Sequence, residues 1–316
     1  MTPQNAAGGA ARLNGYVLAA YALAALAMLL WAGNWVLGRA VRAEIPPVGL
    51  NFWRWTFATI VVLPFAWAPA RRDWPVVRRH WKLMLTLGAT GAAVSHSMIY
   101  IGLRSTEAIN ALLLNSAAPI IIVVMAWAVF GDRVSPRQIV GIAISLVGTV
   151  VLVARGELAN LARLSFNEGD LWVLGALTSV GLYTILLKRR PPGLGGLSLI
   201  FYMCVTGVLV MAPLYAWETL DGRPVSFTVP TLASIAYTGI FASVVAFLCY
   251  NAAIARVGPN LTSFFIHLMP VFGSALAIAF LGETLRLYHG LGFAVVLTGI
   301  LLSTVRVNGA AAPRPS

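Results

Sequence analysis

The residue in this sequence best able to bind a charged ligand is an arginine inside an apolar segment. The stretch NFWRWTF places Arg54 between Trp53 and Trp55, eight residues after Pro46. At 1.5 Å per residue, Arg54 lies roughly 12 Å along a helix that begins at Pro46. Its guanidinium could bind a carboxylate through two parallel hydrogen bonds. Its long stem could instead carry the charge to a membrane surface, with the tryptophans as interface anchors, and the residues alone leave both roles open.

Other polar and aromatic side chains also lie within apolar segments. His96 and Tyr100 are one helical turn apart, and Asn260 and Phe264 precede His267 at helical spacing, so each set shares a helix face. Such groups either contact a ligand or form hydrogen bonds between helices. A polar pair of the second kind contributes only about 0.6 kcal/mol to the stability of a membrane protein. Aromatic rings most often pack, but they also suit a planar substrate or an ammonium. The candidate substrate-binding residues are Asn34, Trp35, Trp53, Arg54, His96, Tyr100, Asn115, Tyr183, Tyr202, Phe247, Tyr250, Phe264 and His267.

Two prolines are candidate hinges. Pro119 has no N–H to donate to the carbonyl of Asn115, and Pro270 interrupts a later segment in the same way, close to His267. Interrupted membrane helices expose such carbonyls where they line cavities. Membrane helices also tolerate proline without any functional purpose, so a packing role remains open for both.

The sequence lacks the motifs of the common catalytic and ATP-driven sites. It contains no G-x4-G-K-[ST] loop, no G-x-S-x-G and no H-E-x-x-H. No Cys, His, Asp and Glu cluster has metal-ligand spacing, so we predict no metal and no cofactor. All acidic residues fall in loops or at helix ends, which leaves histidine titration or facilitated movement down a gradient as open alternatives. An enzyme acting on lipid-linked substrates, through Asp132 or Glu283, is a weak alternative.

Composition places the chain in a membrane. Only 10% of residues are charged, 59% are hydrophobic, and mean hydropathy is +0.83, whereas a soluble domain is about 25% charged. The net charge of +12 resides in short clusters between apolar runs, so we read it as a topology signal and predict no nucleic-acid partner. A spanning helix needs about 20 apolar residues. The predicted spans are 16–41, 46–67, 82–103, 108–130, 135–154, 169–190, 197–217, 231–253, 260–281 and 286–305.

The distribution of lysine and arginine predicts the orientation. With the N-terminus cytoplasmic, 14 basic residues lie on the inside and 7 on the outside, and Arg54 lies within a span. Because cytoplasmic loops carry the excess of basic residues, both termini are predicted to be cytoplasmic. The loops at 67–82 and 188–190 carry most of this bias.

The chain repeats itself at an interval of about 150 residues. A shift of 151 aligns Pro119 with Pro270, and a shift of 150 aligns Tyr100 with Tyr250. A shift of 149 aligns Arg54 with the uncharged Met203. Each half has five spans, an odd number, so the halves must be inverted relative to each other, a plan typical of secondary transporters with a midplane site between the repeats.

A face of small residues recurs in both halves. Gly141 and Gly148 are repeated as Gly292 and Gly299, and small residues allow membrane helices to approach closely. Packing within one monomer is the simpler interpretation, and dimerisation through this face is the alternative.

The segments LLWAGNWVLGRA, NSAAPIIIVVMAWAVFGDRVSPRQIVGIAISLVGTVVL and HLMPVFGSALAIAFLGETLRLYHGLGFAVVLTGILL resemble EamA domains of the drug/metabolite transporter superfamily. The resemblance rests on a twice-occurring pattern of Pro, then G-[DE], then G-x6-G, and it covers nearly the whole chain. It implies an all-α fold of ten transmembrane helices, formed by two inverted five-helix repeats around a central cavity. It also implies transport of small metabolites, usually export, and aromatic amino acid exporters of the YddG type are the preferred comparison.

We therefore predict a secondary transporter of the inner membrane, not an enzyme, that exports amino acids with aromatic or large apolar side chains. Its partners are a small-molecule substrate and the lipid bilayer, and a monomer is favoured over a dimer. A cationic drug would need a buried carboxylate, and a nucleotide conjugate would need several intramembrane cations, so these cargoes are alternatives. The predicted units are a cytoplasmic tail at 1–15, repeats at 16–155 and 169–306, and a cytoplasmic tail at 307–316.

Overall fold

The computed structural model describes residues 3–41, 43–106, 111, 114–154, 156–157, 159, 167–281 and 286–304. Arg155, Gly282, Glu283, Arg306 and the tail 307–316 lie outside the described residues. All regular structure within the described part is helical. Within these described residues we number ten helices: α1 (Pro3–Ala40), α2 (Pro47–Arg79), α3 (Trp81–Ser105), α4 (Ala118–Phe130), α5 (Pro136–Val153), α6 (Glu168–Leu186), α7 (Gly196–Leu220), α8 (residues 229–257), α9 (residues 259–281) and α10 (Leu287–Thr304).

The apolar segments of the sequence correspond to these helices. Among the described residues, eight helical stretches are long and apolar enough to cross a membrane. One of them, Val229–Leu276, is 48 residues long and contains α8 and most of α9, while α4 is a shorter apolar helix. Gly258 separates α8 from α9, because its φ of 85° and ψ of 165° cannot continue a helix. The prediction of an all-α membrane fold is confirmed.

Two predicted spans differ from the helices observed. α2 continues to Arg79 although its apolar run ends near Trp67, because the buried Ala70, Asp73 and Val77 keep one face packed inside the protein. The fourth span was predicted as one continuous helix over 108–130. Residues 111, 114 and 115 are helical, but a turn at residues 116 and 117 interrupts the span before α4 begins at Ala118.

Equivalent helices of the two halves pack antiparallel. A Cβ added at Gly141 would meet Ser303, and one added at Gly148 would meet Val296. Contacts that run in opposite directions along α5 and α10 define an antiparallel pair. The Ser145 hydroxyl also donates to the carbonyl of Val296, 151 residues away, at 3.2 Å. The small-residue faces of α5 and α10 are therefore packed against each other within the monomer.

α2 and α7, another equivalent pair, cap each other with carboxylates. Glu218, near the end of α7, accepts hydrogen bonds from the first-turn amides of Val48 and Gly49 in α2, at 3.2 and 2.6 Å. Asp73, near the end of α2, accepts from the Gly195 amide and the Ser198 hydroxyl at the start of α7, at 3.0 and 2.7 Å. Each carboxylate satisfies free amides and complements the positive end of the helix dipole. The two helices are thereby fastened to each other at both ends.

Candidate functional site

A central cavity of about 50 Å³ lies between the two halves. Its wall comes from α1, α3 and the start of α4 in the first half and from the equivalent α6, α8 and α9 in the second. Binding pockets for small molecules usually measure about 300–1,000 Å³, so the cavity in this conformation is smaller than a typical ligand pocket. The lining residues are Trp31, Asn34, Trp35, Gly91, His96, Ile99, Asn115, Ala118, Leu177, Val180, Tyr183, Phe247, Tyr250, Ile266 and Met269.

Aromatic rings form much of the wall. Phe247 lies at their centre, with ring centroids 5.2 Å from Trp31, 5.2 Å from Trp55 and 5.6 Å from Tyr183. Trp31 also lies 4.9 Å from Tyr250. Edge-on and tilted geometries at these separations are favourable for aromatic pairs. The cavity therefore presents rings to whatever enters it.

The polar groups on the wall are neutral amides, a tyrosine pair and one histidine. Asn34 accepts a hydrogen bond from the Tyr100 hydroxyl at 2.8 Å. The equivalent pair in the second half, Thr184 and Tyr250, is joined at 3.3 Å. Both pairs are separated by 66 residues, so the duplication is visible in the hydrogen bonding as well as in the helices. No carboxylate of the described residues lines the cavity.

Arg54 is completely buried and lies one layer behind the cavity wall. Its Nη1 donates to the Tyr100 hydroxyl at 2.9 Å and its Nε donates to Ser243 Oγ at 2.6 Å. The Arg54 guanidinium carbon lies 5.3 Å from the Trp55 ring centroid. Its exposure of 0% contradicts the alternative that its head reaches the membrane surface. Arg54 is not among the residues that line the cavity, but it is linked to the wall through Tyr100, whose hydroxyl donates to Asn34.

The hydrogen bonds of Arg54 explain part of its position. α3 and α8 each contain a π-helical segment, Ala89–Val94 and Thr238–Val245, whose starts are 149 residues apart. Such segments interrupt the α-helical hydrogen bonds and occur frequently at functional sites. In α8 the carbonyl of Ala242 accepts from Arg54 Nη2 at 3.3 Å and from Trp31 Nε1 at 3.0 Å.

The equivalent π-helical segment in α3 is held by an amide instead. Asn51 Nδ2 donates to the carbonyls of Ala92 and Ala93 at 3.0 and 3.1 Å. In both halves, a side chain of α2 donates hydrogen bonds to carbonyls of the π-helical segment. This side chain is the neutral Asn51 in the first half and the cationic Arg54 in the second.

The chain is broken beside the cavity at equivalent places. Before α4 a turn includes Ser116, and Pro119 lies in the first turn of that helix. In α9 a 3-10 turn, Phe265–His267, directly precedes the α-helical part that contains Pro270. The prolines therefore begin helical segments after breaks. His267 Nε2 contacts the Ser116 carbonyl at 3.0 Å, joining the two breaks across 151 residues.

Some predicted site residues lie elsewhere. Trp53 donates to the Tyr215 hydroxyl at 2.9 Å, and Tyr202 donates to the Ala70 carbonyl at 2.9 Å near the far end of α2. Phe264 and His267 are buried but are not lining residues, although their neighbour Ile266 is. The lining residues among the predicted set are Asn34, Trp35, His96, Asn115, Tyr183, Phe247 and Tyr250.

The sequence interpretation missed other lining residues. Trp31 is one helical turn before Trp35, so its position on the same face could have identified it. Gly91, Leu177 and Met269 carry no comparable signal. Among the described residues, no group of three metal-ligating side chains is present.

Comparison with known proteins gives consistent results. The model of the EamA-like transporter family matches residues 18–154 and 167–305. An uncharacterized transporter of Archaeoglobus fulgidus is 25% identical over 90% of this chain and 96% of its own. A probable terminal-alkyne amino-acid exporter of Streptantibioticus cattleyicolor is 26% identical over 90% of this chain and 93% of its own. A crystal structure with 19% identity superposes with a TM-score of 0.72, over 92% of this chain and 96% of the other.

Proposed function

The chain belongs to the EamA-like transporter family, and we propose that it is a secondary carrier that exports amino acids with aromatic or large apolar side chains. The observation that carries this proposal is the cavity between the two halves, which combines aromatic rings with neutral amides. Rings can stack on an aromatic side chain and attract an ammonium. The relative named as a probable amino-acid exporter supports the same substrate class.

The carboxylate of such a substrate needs a counter-charge, and Arg54 is the candidate. The three partners of Arg54 given above are neutral groups, and a buried cation without a counter-ion is costly. A carboxylate at Asn34 would be linked to that cation through the Tyr100 hydroxyl. We propose that Asn34 contacts the substrate and that Arg54 supplies charge from behind it.

Transport requires the cavity to widen, because a volume of about 50 Å³ holds only a few waters. The breaks before α4 and within α9 are the proposed points of bending, with Pro119 and Pro270 preventing either break from closing into a continuous helix. Movement there would expose the site alternately to the two sides of the membrane, as in other inverted-repeat carriers.

We further propose that the protein is a monomer of the inner membrane with both termini cytoplasmic. The basic residues at 67–82 and 188–190 support this orientation. The repeats at 16–155 and 169–306 would act as the two halves of the carrier, flanked by short cytoplasmic tails at 1–15 and 307–316.

A reconstituted system tests the substrate. Purified protein in sealed liposomes should move labelled phenylalanine or leucine down a gradient, whereas empty liposomes should not. Unlabelled aromatic amino acids should compete, and their methyl esters should compete poorly. If an organic cation without a carboxylate competes efficiently and amino acids do not compete, the substrate is a cationic drug and the proposed amino acid substrate is wrong.

A further inference from the structure

An exposed stripe of alternating tryptophan and arginine runs along the last turns of α2. The stripe consists of Trp67, Arg71, Trp74 and Arg78, which follow one another at intervals of 4, 3 and 4 residues. Side chains at these intervals share one helix face. Both tryptophans are exposed, at 55% and 50%, and both arginines are exposed as well.

The length of α2 indicates that the stripe lies near a membrane interface. The 33 residues of α2 span about 50 Å, whereas the hydrocarbon core of a bilayer is about 30 Å thick. Trp67 is 20 residues beyond Pro47, which corresponds to about 30 Å of rise. With the hydrocarbon core beginning at Pro47, the stripe would begin where that core ends, which is the depth that tryptophan prefers.

Cations and rings are already paired along this surface. The guanidinium carbon of Arg71 lies 5.7 Å from the Trp67 ring centroid, and Lys82 Nζ lies 5.8 Å from that of Trp81. Trp81 is also 55% exposed. These contacts place the positive charges beside exposed rings.

The positive charge here is poorly compensated. Within this stretch of α2 the acid is Asp73, whose carboxylate faces inward and bonds to Arg72, Gly195 and Ser198. Among the described residues, no ion pair includes Arg71 or Arg78, so neither arginine has an acidic partner there. In the linker between α6 and α7, Lys188 is paired with Asp132 at 2.6 Å, and the guanidinium carbon of Arg189 lies 5.3 Å from the Phe130 ring centroid.

We propose that this Trp-Arg stripe is a binding site for the head group of an anionic phospholipid. The arginines would contact the phosphate and the head-group charge, and the tryptophans would flank the upper part of the acyl chains. Basic side chains at a membrane surface attract anionic lipid by about a fivefold gain in affinity each. Bulk attraction to a charged bilayer predicts the same effect for every exposed basic residue at this end, whereas a site predicts it for the stripe alone.

Binding of lipids to the purified full-length protein distinguishes these cases. The detergent-solubilised protein would be titrated with phosphatidylglycerol and with phosphatidylcholine, and bound lipid would be counted by native mass spectrometry. The test variant is Arg71→Gln/Arg78→Gln. The matched control is Arg133→Gln/Arg137→Gln, which removes two charges from the same end of the molecule, where the neighbouring Asp132 pairs with Lys188.

The parent should bind the first phosphatidylglycerol about 25-fold more tightly than phosphatidylcholine, because each of the two arginines contributes about fivefold. The stripe variant should lose about 25-fold in affinity for phosphatidylglycerol, at about fivefold per arginine. Its affinity for phosphatidylcholine, and both affinities of the control, should stay within about twofold, since neither involves a charge of the stripe.

Three results would overturn the site. Equal losses in test and control variants would show bulk attraction. Displacement of bound phosphatidylglycerol by millimolar inorganic phosphate or glycerol phosphate would show a free-phosphate site. A dimer that forms on this face and excludes lipid would make a second copy of the chain the occupant. Matching unfolding temperatures of parent and variants would verify that each comparison is between folded proteins.

Discussion

At the scale of single residues, the molecule is unusual in burying an arginine among neutral partners. Arg54 donates to Ser243, Tyr100 and the Ala242 carbonyl, while its repeat counterpart Met203 is buried without charge. The architecture therefore does not require a cation at this position. The proposed role of Arg54, supplying charge to the substrate carboxylate, would account for this asymmetry between the two halves.

Arg54→Gln should reduce the preference for a free amino acid over its methyl ester by at least about tenfold, because hydrogen bonds to charged groups contribute about 1.5–3 kcal/mol. Arg54→Lys should retain part of the preference, since lysine keeps the charge but lacks the planar guanidinium that can form two parallel hydrogen bonds. Competition assays in liposomes measure both. Met203→Leu, at the equivalent position, is the control, and an unchanged preference in Arg54→Gln would leave Arg54 as a brace for α8 alone.

The two tyrosines at equivalent positions permit a sharper comparison. Tyr100 links Arg54 to Asn34, whereas the Tyr250 hydroxyl pairs with Thr184. Tyr100→Phe should therefore lower the acid-over-ester preference by roughly fivefold, the effect of one hydrogen bond of about 1 kcal/mol. Tyr250→Phe should leave this preference unchanged even if it slows transport. Equal effects of both substitutions would argue against a path through Tyr100.

The sequence revealed which residues are polar or aromatic, but not which of them meet. Asn34, His96 and Phe247 were predicted to bind substrate and do line the cavity. Trp53 belongs to the same motif as Arg54, yet it points to Tyr215. In a chain whose helices are apolar on every face, hydropathy does not show which face of a helix points toward the cavity. Residues that line the cavity therefore cannot be distinguished from residues that face lipid or pack against other helices.

At the scale of helices, the reciprocal carboxylate caps join α2 to α7. Glu218→Gln keeps the shape of the side chain but removes the charge at the positive end of α2. It should lower the free energy of unfolding by about 1–2 kcal/mol, the range for a partly buried charge at a helix terminus. Thermal unfolding in detergent measures the change. Glu157→Gln, at an exposed position, is the control and should have little effect.

The breaks beside the cavity lead to a prediction about rate. Pro119→Ala and Pro270→Ala restore an amide that can close the break into a helix, so each should slow transport several-fold while substrate binding changes less. Pro64→Ala and Pro213→Ala provide the control, because that repeat-related pair lies inside the long helices α2 and α7. Parent-like transport by both test variants would make the breaks packing features.

Hydropathy predicted that the helices exist, but it did not predict where the chain departs from regular α-helix. The π-helical segments at Ala89–Val94 and Thr238–Val245 contain no proline and consist mostly of small and β-branched residues. Their carbonyls are satisfied by Asn51, Trp31 and Arg54 from other helices. Such features depend on tertiary partners, which a local pattern does not contain.

At the scale of the whole molecule, the duplication could be recognised in the sequence because both halves have proline and glycine residues at equivalent positions. The offset of 149–151 residues found in the sequence returns in the structure as the hydrogen bonds Ser145 to Val296 and His267 to Ser116. Contacts between equivalent residues arise where a pseudo-twofold axis passes between them. The symmetry therefore relates the halves in space, and the cavity lies between them.

Orientation in the membrane is the remaining property of the whole molecule that the basic residues predict. Arg79→Cys places a thiol at the end of α2, and Arg223→Cys places one in the linker after α7, at the opposite end of the helix pair. The native Cys204 and Cys249 are buried, so they should give little background. With both termini cytoplasmic, a membrane-impermeant thiol reagent should label the cysteine at 223 in intact cells and the cysteine at 79 only after lysis. The reverse pattern would invert the orientation, and it would move the Trp-Arg stripe to the outer leaflet.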